Sequence, residues 1–317
     1  MPRLLPSPIA DAPALRDREH AHAADRATFL GGSDAASVLG VSPWRTPLEL
    51  WQEKTLPAAP EAFTPERLRA LNRGKRMEPY VLDLLAEETG LVVVRRNVRH
   101  IDPVHPFLAA EIDAELANGD AVEIKTVSPF KAKEWGDEQT DEVPLHYVAQ
   151  VQHGMMITTA PATVFGVLIG GDDFRVYRVE RDPILISLMR TREVDFWTQH
   201  VLTREPPPPV NVDDLARLFP RDIGTAVEAT QTVLMAYHEL RDLRTRAGSL
   251  EREIEQRVEI LKRALGPAAR LTWEGRELCS WKTQTTHRFD VTAYRAAHPE
   301  LAEAFTRASE IRVFRLK

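Results

Sequence analysis

The stretch Ile112-Asp113-Ala114-Glu115-Leu116-Ala117-Asn118-Gly119-Asp120-Ala121-Val122-Glu123-Ile124-Lys125 decides how the larger, N-terminal part of this chain is read. Asn118-Gly119-Asp120 is turn chemistry, and the runs on either side of it predict a β-hairpin. Residues two apart in a strand share a face, so Glu123 and Lys125 project together. The turn then decides where Asp113 goes. A two-residue loop at Asn118-Gly119 pairs Asp113 with Ile124 and turns it away from Glu123. A three-residue loop, Asn118 to Asp120, pairs it with Lys125 on the shared face. The odd-length loop is predicted.

Two carboxylates and an ammonium on one face suit hydrolysis of a phosphodiester. The acids offer Mg²⁺ hard oxygen ligands, and the lysine orients or deprotonates the attacking water and stabilises charge. On its own, Glu-Ile-Lys more commonly marks a solvent-facing ion pair. The surroundings bear on the choice: residues 101–145 hold eleven acids against three lysines and no arginine, a net of −8, whereas the whole 317-residue chain carries −6. Such a concentration of acid suits a cation site, and it also suits a solvated acidic face. A net negative chain has no global attraction for nucleic acid or an anionic membrane, so phosphate binding must be local.

Working outward, Asn72-Arg73-Gly74-Lys75-Arg76-Met77-Glu78-Pro79 leads into the apolar run Tyr80 to Leu85. Proline favours the first helical turn, which predicts Glu78 at a helix mouth, where exposed amides favour a carboxylate and where simple capping also explains it. Tyr147 to Met156 has helical periodicity and carries Gln150 and Gln152, both able to hydrogen-bond a phosphate or a metal-bound water. Phe29-Leu30-Gly31-Gly32-Ser33-Asp34 places a double glycine and capping candidates before a short apolar helix, an arrangement that suits either capping or anion binding.

The remaining periodicities predict helices over Thr46–Lys54 and Glu78–Thr89, and strands over Leu91–Val98, Phe107–Leu116, Ala121–Val127, Ala162–Ile169 and Phe174–Val179. The fold class is α/β or α+β. Residues 1–24 read as a loose arm, residues 25–205 as the main domain, and residues 206–224, opening on Pro206 to Pro209, as a proline-rich linker. Beyond it, Val233, Tyr237, Leu240, Leu243, Ala247, Leu250, Ile254, Val258, Leu261 and Leu265 recur at spacings of three and four. They predict one long coiled-coil-like helix or a hairpin of two, with Gly248-Ser249 as the potential break and Gly266-Pro267 as the end. A β-like stretch Leu271–Thr283, a helical Asp290–Ala308 and a terminal strand Ile311–Leu316 complete residues 225–317. The single cysteine, Cys279, excludes an intramolecular disulfide and a cysteine-based zinc or iron–sulfur site within the chain. With no apolar run long enough to span a membrane, a cytoplasmic location is expected.

Four blocks stand in order: Gly31-Gly32-Ser33-Asp34 with Ser42-Pro43-Trp44 and Thr46-Pro47-Leu48-Glu49-Leu50-Trp51; Gly74-Lys75-Arg76-Met77-Glu78-Pro79; Asp113 with Glu123-Ile124-Lys125; and Tyr147-Val148-Ala149-Gln150-Val151-Gln152. Together they resemble the YqaJ-type viral recombinase, or lambda-exonuclease-like, family of the restriction-endonuclease-like superfamily, over about residues 25–200. The resemblance implies a mixed central sheet flanked by helices and a nuclease that uses Mg²⁺, or Mn²⁺ in its place. It implies that Asp113, Glu123 and the carbonyl of Ile124 ligate the metal, that Lys125 is the catalytic lysine, that Glu78 is a further active-site acid, and that Gln152 assists near the nucleophile. Arg26 and Ser33 match the positions that bind a 5′-terminal phosphate in the family. Lys75, Arg76 and Gln150 are DNA-contact candidates, with Arg67, Arg69 and Arg73 extending the basic lining. The implied activity is 5′-to-3′ digestion of linear double-stranded DNA, leaving 3′ single strands for an annealing protein, by a homo-oligomer such as a ring-type trimer. An endonuclease with the same core and a non-catalytic DNA-binding or assembly protein are the alternatives.

Overall fold

A computed structural model of the protein describes residues 25–56 and 65–317, so the expected arm over residues 1–24 lies outside it. The chain forms two compact units, one through Leu218 and one from Phe219. The first therefore runs past the prolines at 206–209 that were expected to end it. The reason is that the helix following them is tied back. Asp214, fully buried, accepts from the Thr46 hydroxyl at 2.8 Å, and Arg217 pairs with Glu49 at 2.6 Å.

In the first unit the elements are α1 (Gly32–Val38), α2 (Pro47–Thr55), α3 (Pro65–Thr89), β1 (Val93–Ile101), β2 (Ala109–Leu116), β3 (Ala121–Val127), α4 (Leu145–Thr158), β4 (Ala162–Ile169), β5 (Asp173–Glu180), α5 (Pro183–Phe196) and α6 (Val212–Leu218). Local chemistry fixes several starts. Thr46 and Glu49 cap α2 reciprocally at 3.1 and 2.9 Å, with Pro47 in its first turn. Asp182 accepts from the amides of Ile184 and Leu185 to begin α5. One predicted start is corrected: α3 begins at Pro65, so Pro79 lies inside the helix and Glu78 is not at its mouth. Proline forgoes one helical hydrogen bond, but the strong helix formers ahead of it, Leu71, Arg73, Lys75, Arg76 and Met77, carry the helix through, and the buried Val81, Leu82 and Leu85 anchor it.

The sheet order is β1-β2-β3-β4-β5, with β3 and β4 parallel and every other pair antiparallel. This is the mixed sheet flanked by helices that the sequence predicts. The parallel pair needs a crossover, and α4 is its helix. Val122, Ile124, Val164 and Leu168 pack with Val81, Leu82 and Leu85 of α3, while Ala121, Phe165, Val167 and Ile169 pack with Val151, Met155 and Met156 of α4. By strand alternation Glu123 and Lys125 face the α4 side. α4 is held there by a fully buried pair: His153 Nδ1 is 2.8 Å from Glu193 of α5, and Nε2 is 3.0 Å from the Ala109 carbonyl.

The β2–β3 loop is odd in length, as expected, but shifted by one residue. Leu116 bonds Asp120 at 2.9 Å, the register pairs Ala114 with Val122, and the loop is Ala117-Asn118-Gly119. Asp120 leaves the loop because its amide and carboxylate are both taken by the Asn118 side chain, while Gly119 supplies the left-handed corner at φ 91°. Asp113 consequently falls beside Glu123 rather than opposite Lys125.

The second unit holds α7 (Gln231–Leu265), β6 (Arg270–Trp273), β7 (Arg276–Ser280), α8 (Val291–Ala297) and α9 (Pro299–Ala304). α7 is one helix: it passes through Gly248, and the Ser249 hydroxyl bonds back to the Thr245 carbonyl at 3.2 Å instead of breaking it. Residues 311–316 form no strand, and the expected helix over Asp290–Ala308 is two short ones. Among the described residues no helix is long and apolar enough to cross a membrane.

Burial alone would lower the His153 imidazole, but the Glu193 carboxylate more than reverses this and raises it. The pair therefore stabilises fully below the unfolded histidine value and less as pH rises through the raised folded one. The stability advantage of wild type over a His153→Leu/Glu193→Leu double variant should shrink as pH is raised from 6 to 9 in denaturant titrations. His153→Leu alone should cost about 3–5 kcal/mol, because it strands a buried carboxylate.

Candidate active site

Beyond Ala114–Val122 the β2–β3 ladder stops, and the Ile124 amide is taken by the Asp113 carboxylate at 2.7 Å. Glu123, on the neighbouring residue, is largely buried and receives two donors on one oxygen, the Lys125 ammonium at 2.5 Å and the Gln150 amide at 2.6 Å. Lys125 also approaches the Gln150 oxygen at 3.3 Å and lies 4.8 Å over the Tyr147 ring. Burial and the adjacent Glu123 carboxylate push the Asp113 carboxyl up to about 8, against the pull of the Ile124 amide. Burial works against the Lys125 ammonium, yet Glu123 holds it above its ordinary value. Glu78, one helix away, is raised by burial and by Glu123, with Lys75 opposing. The α3 helix passes β3 where Gly74 faces Thr126, a packing that leaves Lys75 and Arg76 exposed beside the acids. The Arg67 side chain lies outside the described residues.

Sequence reading assigned the helper role to Gln152, and the structure does not bring that residue to the cluster. Its amide is fully engaged elsewhere, donating to the Glu180 carbonyl at 2.7 Å and accepting from the Asp182 amide at 3.0 Å. Gln150, two residues earlier, is the glutamine that meets Glu123 and Lys125.

Arg26 and Ser33 do come together, at 2.8 Å. They belong to a larger group: Asp34 is fully buried and receives Arg26 at 2.9 Å, Arg45 at 2.7 Å, Lys54 at 2.9 Å and the Gly31 amide at 3.0 Å. Burial alone would raise the Asp34 carboxyl; Lys54, Arg26 and Arg45 instead hold it far below the carboxylate range. Arg45 and Lys54 went unnoticed in the sequence because they arrive from the α1–α2 loop and from α2. The double glycine has two packing reasons. A Cβ on Gly31 would collide with the Arg26 guanidinium, and one on Gly32 would sit 3.0 Å from the Gln150 carbonyl. The helix that begins beside Arg26 and Ser33 is thereby pressed onto the residue that contacts Glu123. A cavity of about 90 Å³ is lined by Arg26, Gly32, Ser33, Glu123 and Gln150, so the two polar groups share one space.

Among the described residues no three histidine, cysteine or acid side chains converge on one metal position. Mg²⁺ does not need them, since it is commonly held by one or two carboxylates with water and substrate phosphate completing its shell. Asp113 and Glu123 fit that pattern, and a divalent cation would offset the burial and the mutual repulsion that push the Asp113 carboxyl up.

The central strands of a mixed sheet thus bring Asp113, Glu123 and Lys125 together, with Gln150 of α4 bonded to Glu123. Residues 21–161 match the YqaJ-like viral recombinase domain. Over 309 residues, 92% of this chain and 92% of the relative, the protein is 28% identical to the uncharacterized protein YqaJ of Bacillus subtilis (strain 168). Similar solved structures include an alkaline exonuclease from Laribacter hongkongensis, at 20% identity and TM-score 0.47, covering 59% of this chain and 94% of that one. A phage-related exonuclease from Haemophilus somnus 129PT follows at 13% identity and TM-score 0.39, covering 56% and 96%.

Mg²⁺ at a hundredfold excess over its Kd should stabilise the wild-type protein by about 2.7 kcal/mol and Asp113→Asn by far less. Calorimetric melting with and without Mg²⁺ checks this without any assay of activity.

Proposed function

We propose that the protein is a Mg²⁺-dependent exonuclease that digests linear double-stranded DNA from its 5′ ends and leaves 3′ single strands for an annealing protein in phage-type recombination. The observation that supports the reading is the shared cavity, whose lining joins the Arg26–Ser33 pair to Glu123 and Gln150, the two residues that hold Lys125. A phosphodiester strand suits both: a terminal phosphate for the arginine and serine, and a scissile phosphate for the lysine and the acids. Polarity, annealing partner and a ring-type homo-oligomer follow from the family resemblance.

In this reading a divalent cation, when bound, would supply Lewis-acid chemistry for phosphodiester hydrolysis. Asp113 and Glu123 would hold it, with the Ile124 carbonyl as a further oxygen. Lys125, charged and fixed by Glu123, stabilises the developing negative charge and orients the water. Gln150 bridges the lysine and Glu123, so it holds both in one geometry. Glu78, raised by burial and by Glu123, is a further acid at the edge of the site. Arg26 and Ser33 fix the register of the DNA end.

Lys125→Ala should lower kcat by about a hundredfold or more with the fold retained, and Gln150→Ala should do more harm to kcat than Gln152→Leu does. Arg26→Ala should erase the preference for 5′-phosphorylated over hydroxyl ends. End-labelled linear and covalently closed plasmid DNA, with Mg²⁺ or EDTA, provide the assay. Cutting of closed circles would move the protein to the endonuclease reading, and binding without metal-dependent cleavage to the non-catalytic one.

A further inference from the structure

An indole left in water beside buried charge calls for an occupant. Trp44 is 63% exposed, while Trp135, in the same cluster of rings, is 5% exposed. A row of aromatic contacts links the two. Trp135 stacks on Tyr147 at 5.4 Å, Tyr147 lies 4.1 Å from His146, and Trp44 meets His146 edge-on at 4.4 Å. The row passes the catalytic candidate. The Tyr147 centroid is 4.8 Å from the Lys125 ammonium and 6.2 Å from the Trp44 centroid, which puts the indole within about 11 Å of that ammonium.

We infer that Trp44 is a stacking platform for a nucleobase of the strand whose phosphate lies at Lys125. The inference rests on the nucleic-acid reading above and adds a contact to it.

Three observations support a base as the occupant. The mount is rigid: Trp44 sits between Pro43 and Arg45, its amide donates to the Ser42 hydroxyl at 3.3 Å, and Arg45 is locked to Asp34 and Ser37. A fixed planar ring is what sequence-independent binding of single strands uses, since every base offers a π face. The platform also lies near two cations, since Lys125 and Lys131 act electrostatically on His146 together with the Glu134 carboxylate that pairs with Lys131. Finally, His146 Nε2 is buried without a hydrogen-bond partner among the described residues. It stands between Trp44 and Tyr147, where the sugar or edge of a stacked nucleotide would supply one.

The test uses the full chain as wild type, Trp44→Phe and Trp44→Ala. A short oligonucleotide carrying 2-aminopurine near its 5′ end reports stacking in EDTA, and digestion of linear duplex DNA with Mg²⁺ gives kcat and KM. Expected is probe quenching by wild type and largely by Trp44→Phe, its loss in Trp44→Ala, and a KM about tenfold higher in Trp44→Ala with kcat within about twofold. The platform is overturned if Trp44→Ala digests DNA with unchanged KM and quenching. It is equally overturned if kcat falls while KM holds, which would mean that the indole only props Tyr147 and Lys125. If wild type neither quenches the probe nor cleaves DNA, the nuclease reading falls with it, so the two failures are told apart by whether wild type digests.

Discussion

Two acids held side by side where water is scarce govern this structure. Ionising both Asp113 and Glu123 in that setting costs free energy, and the surrounding groups each lower that cost in a different way. The Ile124 amide bonds one carboxylate, Lys125 and Gln150 bond the other, and burial together with Glu123 still pushes the Asp113 carboxyl up. A cation would finish what these groups leave undone. β3 is buried from Ala121 to Ile124, and β2 packs Ala110, Ile112, Ala114 and Leu116 into the core, so the strands that hold the acids are fixed in place.

The second charged centre inverts the arithmetic. At Asp34 one buried carboxylate collects three cations, and Phe29 lies beneath Arg26, Lys54 and Arg99 at 5.0, 5.6 and 4.2 Å. Arg45 is shared with Glu53, and Arg26 also bonds the Ser33 hydroxyl. Gly32 against Gln150 joins this centre to the acids, so the cationic group and the acidic one are packed on a single helix contact.

Much of this was legible in the sequence, and the physical reason differs by element. The limits of β3 and β4 could be read to the residue because both are short buried runs bounded by turn residues. The pairing of Asp113 with the Glu123 face followed from strand parity, but the register did not, because it hung on whether Asp120 joined the loop or the strand. The start of α3 was hidden by Pro79, whose usual position outweighed the helix formers before it. Gln150 and Gln152 could not be told apart, since which of them faces the acids depends on where β5 ends and α5 begins. The cations around Asp34 come from three separate segments, and no local pattern announces such a meeting.

The bond from the Ile124 amide to Asp113 has a further consequence, for the mutational history open to this position. A side chain has taken the place of a strand partner, so residue 113 answers to two demands at once. Alanine there would leave a buried amide without an acceptor, at about 1–3 kcal/mol. Asparagine keeps the acceptor and gives up the charge. Drift at residue 113 to a side chain without an acceptor is therefore penalised as a defect of the sheet even in a lineage that has no further use for the chemistry, so aspartate could give way to asparagine there but not to alanine.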